Sequence, residues 1–353
     1  MTDVLIMGAG SLGNHLAHGC RKKNWRVAIY DNDSLALKRT KHEIFPSRYG
    51  KWDEKIELLP VMPSLGSAYD LVVIATPPDT HLELATWCLT AIRPKIILLE
   101  KPLCQPGLNG LRDFQSALSK TEVVALVGYN HNVTKNTKIA EELILDGVLG
   151  EALSMHVRWI EHWGGIFEAH PWLSWPKESY LGFSERGGGA CGEHSHAIAI
   201  WQHFAKIIGQ GKIQEVSAVM NFSNGKDVFY DQSTFLGVKS EGGLTGTIIQ
   251  DVITAPAQKC VRIQGSEGFI EWYVNYRSNQ DAVIFGKHDD SPEVQLIAKT
   301  RPDDFSPEID HIERLMVERD LQSPISFDIG VECMRIISAA FQSNQTGSRI
   351  ILD

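Results

Sequence analysis

Six residues near the amino terminus restrict the fold of this chain more than any others. Val4-Leu5-Ile6-Met7 is a short apolar run, Gly8-Ala9-Gly10-Ser11-Leu12-Gly13 follows at once, and a helical pattern continues to about Lys22. A G-x-G-x-x-G sequence between a strand and a helix is the fingerprint of a dinucleotide-binding turn. Gly8 permits the tight turn, Gly10 lets the backbone approach a pyrophosphate, and Gly13 lets helix and strand pack closely. The helix then faces the phosphates with its free N–H groups and the positive end of its dipole, so Ala9, Ser11 and Leu12 join the glycines as candidate cofactor residues. A second strand, Arg26 to Tyr30, ends at Asp31. An acidic residue about 20 positions past the glycines is expected to hold the adenosine ribose hydroxyls. Asp31 and Asp33 would repel a 2′-phosphate, which favours NAD. Asn32, also placed at the cofactor, and the basic Lys38-Arg39 pair leave NADP possible.

The strand–helix rhythm continues. Residues 35–49 are basic and partly helical, and Ile56 to Leu59 reads as a short strand. Asp70 to Ala75 is a buried strand ending in Thr76-Pro77-Pro78-Asp79-Thr80-His81, where two prolines prevent the ladder from continuing. His81 starts a helix and is either a helix-start polar residue or a wall of the cofactor pocket. Ile96-Ile97-Leu98-Leu99, bounded by Pro94 and Pro102, reads as a buried parallel strand. Glu100 and Lys101 therefore lie just past the carboxyl end of a central strand, where open α/β sheets bind their ligands. A helix over 109–119 and a strand over Val123–Val127 follow, and the strand ends at Gly128-Tyr129-Asn130-His131-Asn132. This alternation predicts a doubly wound parallel sheet.

Beyond Asn132 the pattern changes. Val133 to Leu145 predicts a connecting helix, and six alternating stretches between Ala152 and Tyr273 predict a mostly antiparallel open sheet with helices on one face. A chain of 353 residues exceeds one ordinary core. The expected division is 1–131, an N-terminal Rossmann dinucleotide-binding domain, and 132–353, an α+β domain for substrate binding and oligomerisation. The other face of the second sheet is expected to take a partner subunit, giving a homodimer or homotetramer. Glu161 to Tyr180 mixes His162, Trp163, Phe167, His170, Trp172, Trp175 and Tyr180 with glycines and prolines that argue against a regular element. It reads equally as a packed cover loop or as a lid whose Trp163 and Trp172 contact a sugar.

The formal charge of −9 argues against nucleic acid as a partner, and no apolar run has the length of a membrane span. The six cysteines are scattered, as expected for reduced thiols in a cytoplasmic protein. Cys191, Glu193, His194 and His196 lack the spacing of a catalytic zinc site, so no metal is expected.

Taken in order, these pieces resemble the glucose–fructose oxidoreductase, inositol dehydrogenase and MocA family. They are Gly8 to Gly13, Ala75-Thr76-Pro77-Pro78 with His81, Glu100-Lys101-Pro102, Gly128-Tyr129-Asn130 and Asp146 to Gly150. Gly187-Gly188-Gly189 with Glu193-His194-Ser195-His196, Ile263 to Gly268, Ser323 to Ser326 and Thr346 to Ser348 complete the set. The resemblance spans essentially the whole chain. It implies an NAD(P)-dependent oxidoreductase acting on sugar, cyclitol or nucleotide-sugar hydroxyls. It further implies that Lys101 lies between nicotinamide and substrate, with its bond to proline often cis, and that His196 is the acid/base. The implied cofactor set includes Thr76, Pro77, Pro78, His81, Glu100, Lys101 and Asn130. The substrate set is Lys101, Asn132, Trp163, Trp172, Glu193, His194 and His196.

The chain departs from the family pattern at two places. Many members carry an Asp where Gly192 stands, and Glu193, three residues before His196, is a candidate replacement on a shared helix face. Many also carry an arginine after the last Rossmann strand, where this chain has His131 and Asn132. The rival expectations are an imine or linear-tetrapyrrole reductase on the same fold, and a non-catalytic NAD-sensing regulator.

Overall fold

The computed structural model describes residues 2–352 apart from 169, 224, 226, 301–303 and 319–321. The chain forms two compact units. In the first, six strands pair in parallel in the order β3-β2-β1-β4-β5-β6. They are β1 (Asp3–Met7), β2 (Arg26–Tyr30), β3 (Ile56–Leu59), β4 (Leu71–Ile74), β5 (Ile96–Leu99) and β6 (Val124–Val127). The helices are α1 (Ser11–Lys22), α2 (Ser34–Arg39), α3 (Phe45–Tyr49), α4 (His81–Ala91) and α5 (Leu111–Leu118), with a π-turn, Thr40–Ile44, joining α2 to α3. Every residue of β4 and β5 is buried, as parallel strands covered on both faces must be. The order reverses between β1 and β4, so the carboxyl ends of those strands flank the crevice where such sheets bind ligands.

The second unit holds nine strands in the order β14-β13-β12-β11-β7-β10-β9-β8-β15. They are β7 (Ala152–Ile160), β8 (Ile213–Ser223), β9 (Tyr230–Ser240), β10 (Thr245–Asp251), β11 (Gln258–Gly265), β12 (Gly268–Arg277), β13 (Gln280–Lys287), β14 (Glu293–Ala298) and β15 (Ile350–Ile351). All recorded pairs are antiparallel except β10 with β7. Its helices include α6 (Lys135–Leu145), α7 (Trp163–Glu168), α8 (Gly189–Glu193) and α9 (His196–Ile207). α9 is almost wholly buried, and the Trp201 indole N–H donates to Met155 O of β7 at 3.2 Å, fixing the helix on the sheet. The lid region differs from its expectation: despite Gly164 and Gly165, residues 163–168 form α7, a helix whose Trp163 and Ile166 are buried.

The expected second domain, 132–353, is also divided differently. Thr300–Gly330 fold with the first unit. α10 (Ser306–Val317) lies on α1, with Ile309 filling the space over Gly19 and Lys23 Nζ bridging Asp310 at 2.6 Å and Glu313 at 2.7 Å. Val127 N–H donates to Ile325 O at 2.9 Å, and Leu126 pairs antiparallel with Ser326. A returning segment thereby covers the open edge of β6, which would otherwise present unpaired backbone groups. α11 (Phe327–Thr346) begins in the first unit and continues in the second, where Asn344 Oδ1 accepts from Met220 N of β8 at 2.8 Å.

Candidate functional site

The first unit builds a phosphate cradle from glycine sterics. Gly8 has φ +113°, and a Cβ there would lie 2.5 Å from Ala75 O at the end of β4. A Cβ on Gly13 would fall under 3.0 Å from the Gly8 carbonyl oxygen. Both glycines are thus required by the chain itself. Gly10 differs: its backbone is extended, φ −76° and ψ −173°, and a Cβ there would meet nothing within 4 Å. The open space over Gly10 faces the amino end of α1, whose first turn carries no acidic residue and no side-chain cap. Uncapped N–H groups with a clear approach are what a dinucleotide pyrophosphate requires, so these residues fit that group.

Neighbouring polar groups hold the cradle in shape. Asp31 Oδ2 accepts from Ala9 N at 2.8 Å, and its Oδ1 accepts from Asp33 N at 2.8 Å. Asp31 therefore orders the glycine turn and its own loop, with lone pairs left for ribose hydroxyls. Asn32 is exposed beside it. Asn14 Nδ2 donates to Ala9 O at 3.1 Å and Gly10 O at 2.7 Å, and Thr40 Oγ1 donates to Ala9 O at 3.1 Å. Arg48 donates to Ser11 O at 3.1 Å and Ser11 Oγ at 2.9 Å. Sequence reading missed Asn14, Thr40 and Arg48, because none belongs to the glycine fingerprint.

Past β4, Thr76 Oγ1 and Thr80 Oγ1 are 2.7 Å apart, and Pro78 is buried while Pro77 is half-buried. His81 is completely buried, with Nε2 2.7 Å from Thr76 O and Nδ1 3.3 Å from Leu103 O. Burial lowers its pKa, against an opposing effect of the carbonyls, so the ring is neutral and the shorter contact places its proton on Nε2. His81 thus presents no surface to a pocket; it ties the turn after β4 to the turn after β5. That second turn carries Glu100, Lys101 and the cis Lys101–Pro102 bond. Glu100 is buried, and a Cβ on Gly128 would lie 2.6 Å from its Oε2, so the glycine after β6 makes room for this carboxylate. Lys101 is half-buried and Asn130 buried. Glu308 on α10 is also buried, and neither of its carboxyl oxygens has a hydrogen-bond partner among the described residues. Burial first, and the Glu100 charge second, push its carboxyl well above the usual range.

In the second unit His196 opens α9 and its ring stacks on Trp159, centroids 5.4 Å apart. His131 meets it edge-on at 4.8 Å, and also meets Trp159 at 4.9 Å and Trp272 at 6.0 Å. Two histidines and two buried tryptophans form one aromatic group, which brings His131 to His196. Asn132 and His194 are buried, and Gln250 Nε2 donates to His194 O at 2.8 Å. The spacing argument for Glu193 fails: Glu193 ends α8 and His196 begins α9, so the pair lies on two helices rather than one face. Nor does a family-type carboxylate fit at Gly192, where a Cβ would come under 3.0 Å from Gly187 O.

Gly188 and Gly189, where α8 begins, are required by the chain's own packing. A Cβ on Gly188 would strike Tyr180 O, and one on Gly189, φ +79°, would strike Asp231 Oδ1. Asp231 is fully buried and is the organising group that sequence reading missed. It accepts from Ser184 Oγ at 2.9 Å, Cys191 N at 2.7 Å and Thr234 Oγ1 at 2.8 Å. Burial raises its pKa to about 6 against those hydrogen bonds. Burial, with the Asp231 charge second, pushes the Cys191 thiol up, which keeps it a thiol rather than a metal-binding thiolate. Trp163 is likewise committed internally, stacked on Phe167 at 5.5 Å and edge-on to Tyr230 at 5.5 Å. Trp172 is half-buried against His170, 5.6 Å away.

Residues 2–129 match an oxidoreductase family with an NAD-binding Rossmann fold, the Gfo/Idh/MocA family. Levoglucosan dehydrogenase of Pseudarthrobacter phenanthrenivorans is 27% identical over 152 residues, covering 43% of this chain and 35% of that protein. The 2,7-anhydro-N-acetylneuraminate hydratase of Escherichia coli is 30% identical over 134 residues, 38% of this chain and 33% of that protein. The chain thus matches about a third of the length of these relatives. A levoglucosan dehydrogenase structure in complex with NADH and levoglucosan superposes with a TM-score of 0.77 at 18% identity, covering 100% of this chain and 99% of that one. At that identity the likeness shows the fold.

Proposed function

We propose that this chain, whose residues 2–129 match the Gfo/Idh/MocA oxidoreductase family, is an NAD-dependent dehydrogenase or reductase acting on a secondary hydroxyl or ketone of a sugar-like substrate. The observation that carries this reading is the cradle: Gly8 and Gly13 are filled by the chain, while Gly10 and the uncapped end of α1 stay open. Asp31 at the end of β2 favours NAD over its 2′-phosphorylated form, because two anions would meet there. One relative is named a levoglucosan dehydrogenase and another a 2,7-anhydro-N-acetylneuraminate hydratase, which supports a carbohydrate-like substrate.

Bound nicotinamide would supply the hydride acceptor. The residues of this chain handle the proton and the charge. His196 takes the hydroxyl proton; an imidazole titrates near ~6.5, close to neutral pH, which suits a group that must both accept and return a proton. Its stacking on Trp159 and edge contact with His131 fix the ring plane, so little reorientation is needed at each turnover. Lys101, placed past the end of β5, stabilises the negative charge that develops on the substrate oxygen. Asn132 and His194 are assigned to substrate hydroxyls. The test is to follow reduced-nicotinamide absorbance with NAD and a panel of anhydrosugars, hexoses, cyclitols and nucleotide-sugars. Turnover of one class supports the reading; NAD binding with no turnover of any class removes the substrate assignment.

The name of the hydratase relative supports a second reading, in which the net reaction adds or removes water and leaves the oxidation level of the substrate unchanged overall. It predicts product formation with no net change in nicotinamide absorbance.

A further inference from the structure

At one end of the second sheet a lysine and a glutamate meet beside the aromatic group of His196. Glu161 follows β7 directly, and Lys259 lies on β11, where its cross-strand partner is Trp159. Glu161 Oε2 and Lys259 Nζ are 2.6 Å apart. Lys259 Nζ also stands 5.9 Å from the centroid of the Trp159 ring, on which His196 stacks at 5.4 Å. One indole is thus shared by an ammonium and by the imidazole assigned to the proton.

Stability does not account for this pair. The Lys259 and Glu161 side chains are 19% and 22% exposed, so both charges are largely withdrawn from water. Such withdrawal costs about as much as the attraction returns, and apolar residues of similar size would hold the two strands together at least as well. The local structure nevertheless makes room for it. Gly165, inside α7, leaves open the space beside the carboxylate, since a Cβ there would lie 2.9 Å from Glu161 Oε1. Backbone bonds fix the turn: Glu161 N–H donates to Asp251 O at 3.1 Å and His162 N–H to Thr254 O at 2.7 Å. A carboxylate has two oxygens and an ammonium three protons, and their mutual contact uses one of each. An acceptor and a donor therefore remain side by side on a fixed support.

Charge narrows what they can hold. The Lys259 ammonium is balanced by Glu161. A second buried carboxylate, Asp251, ends the neighbouring β10 and accepts from Ile253 N, Thr254 N and Thr254 Oγ1. A carboxylate or phosphate on the substrate would meet more negative than positive charge here. Adjacent hydroxyls, one accepting from the ammonium and the next donating to the carboxylate, match the pair.

We propose that Lys259 and Glu161 form a specificity pair that selects an uncharged polyhydroxy substrate, Lys259 donating to one ring hydroxyl and Glu161 accepting from its neighbour. The inference rests on the dehydrogenase reading above and deepens it, by removing uronates and nucleotide-sugars from the substrate class. Hydrogen bonds to charged groups are among the stronger ones, and an analogue that cannot make them leaves withdrawn charges unsatisfied.

The experiment compares kcat/KM for matched sugars built on whichever panel member turns over, such as D-glucose with D-glucuronate or D-galactose with D-galacturonate. Wild type, Lys259→Met, Lys259→Arg and Glu161→Gln are assayed with NAD, and their melting temperatures and NADH affinities are measured alongside. Wild type is expected to prefer the neutral sugar by about 10-fold or more. Glu161→Gln leaves the ammonium unbalanced and should shift that ratio toward the uronate by about 10-fold. Lys259→Met should raise KM for the neutral sugar about 10- to 100-fold with a smaller change in kcat, and Lys259→Arg should recover part of the loss. NADH affinity should stay within about twofold in all three, because the glycine cradle belongs to the other unit. Wild type that prefers the uronate, or a Glu161→Gln ratio equal to that of wild type, would overturn the proposal. So would Lys259→Met with an unchanged KM, which would make the pair a strap between β7 and β11. NAD binding with no turnover of any panel class would instead refute the substrate reading, and this inference with it.

Discussion

Substituting alanine at two glycines of one turn separates folding from cofactor binding. At Gly13 the new Cβ would lie under 3.0 Å from the Gly8 carbonyl oxygen and 3.3 Å from Ile6 Cγ2. The first obstacle is backbone, so strand and helix must move apart, at an overpacking cost of about 1–3 kcal/mol or more. Alanine returns about 1 kcal/mol through helix propensity, leaving a net loss of about 2 kcal/mol and a melting temperature lower by about 4–8 °C. At Gly10 the methyl meets nothing within 4 Å and the extended backbone is open to any residue. The weaker cap that alanine makes and its smaller unfolded-chain entropy nearly cancel, so the melting temperature moves by about 2 °C or less. The same methyl stands where a diphosphate would approach, and NADH affinity is expected to fall at least 30-fold, about 2 kcal/mol. Differential scanning calorimetry reads the first quantity and intrinsic-fluorescence titration the second. Gly10→Ala with undiminished NADH affinity would refute the cradle, and Gly13→Ala as stable as wild type would refute the steric argument.

Other expectations follow from the second unit and from the braces around the strand ends. Because burial raises the Asp231 carboxyl from 3.8 to about 6, the folded chain binds a proton more tightly than the unfolded one. Its contribution to stability is therefore fully present below about pH 4 and is lost as pH rises through about 6; urea midpoints across this range should show that slope in wild type and lack it in Asp231→Asn. At neutral pH Asp231→Ala strands the Ser184, Cys191 and Thr234 donors and should cost about 3–5 kcal/mol in chemical denaturation. Replacing His81 with Ala removes its N–H bond to Thr76 O and leaves a cavity, an expected loss of about 2–4 kcal/mol accompanied by weaker NADH binding in titration. Gly192→Asp, which installs the carboxylate many family members carry, should lower the melting temperature rather than raise turnover, since Gly187 O already fills that space.

What could be read from residues alone is what local geometry dictates. β1, the glycine turn and α1 follow from strand and helix periods and from which residue tolerates φ +113°, all decided within a dozen positions. β4, β5 and β6 were legible as apolar runs closed by turn residues, and the spaced strands of the second sheet by alternation. β13 and β14 were not identified: Glu293 to Leu296 are exposed, so no apolar face marks the edge strand. Tertiary structure alone decided the rest, because the contacts that matter join residues far apart with no periodic trace. The return of α10 onto α1 depends on Ile309 meeting Gly19, 290 positions away. Asp231 organises α8 across 40 positions to Cys191, and its residue type, an aspartate inside a strand, signals nothing by itself. His131 and His196 meet where Trp159 packs against both rings and Trp272 against His131. A local pattern specifies an element, but burial sites for polar and aromatic groups exist only once distant elements have packed, so the chemistry around the glycine turn was readable from the chain while the surroundings of His196 required the fold.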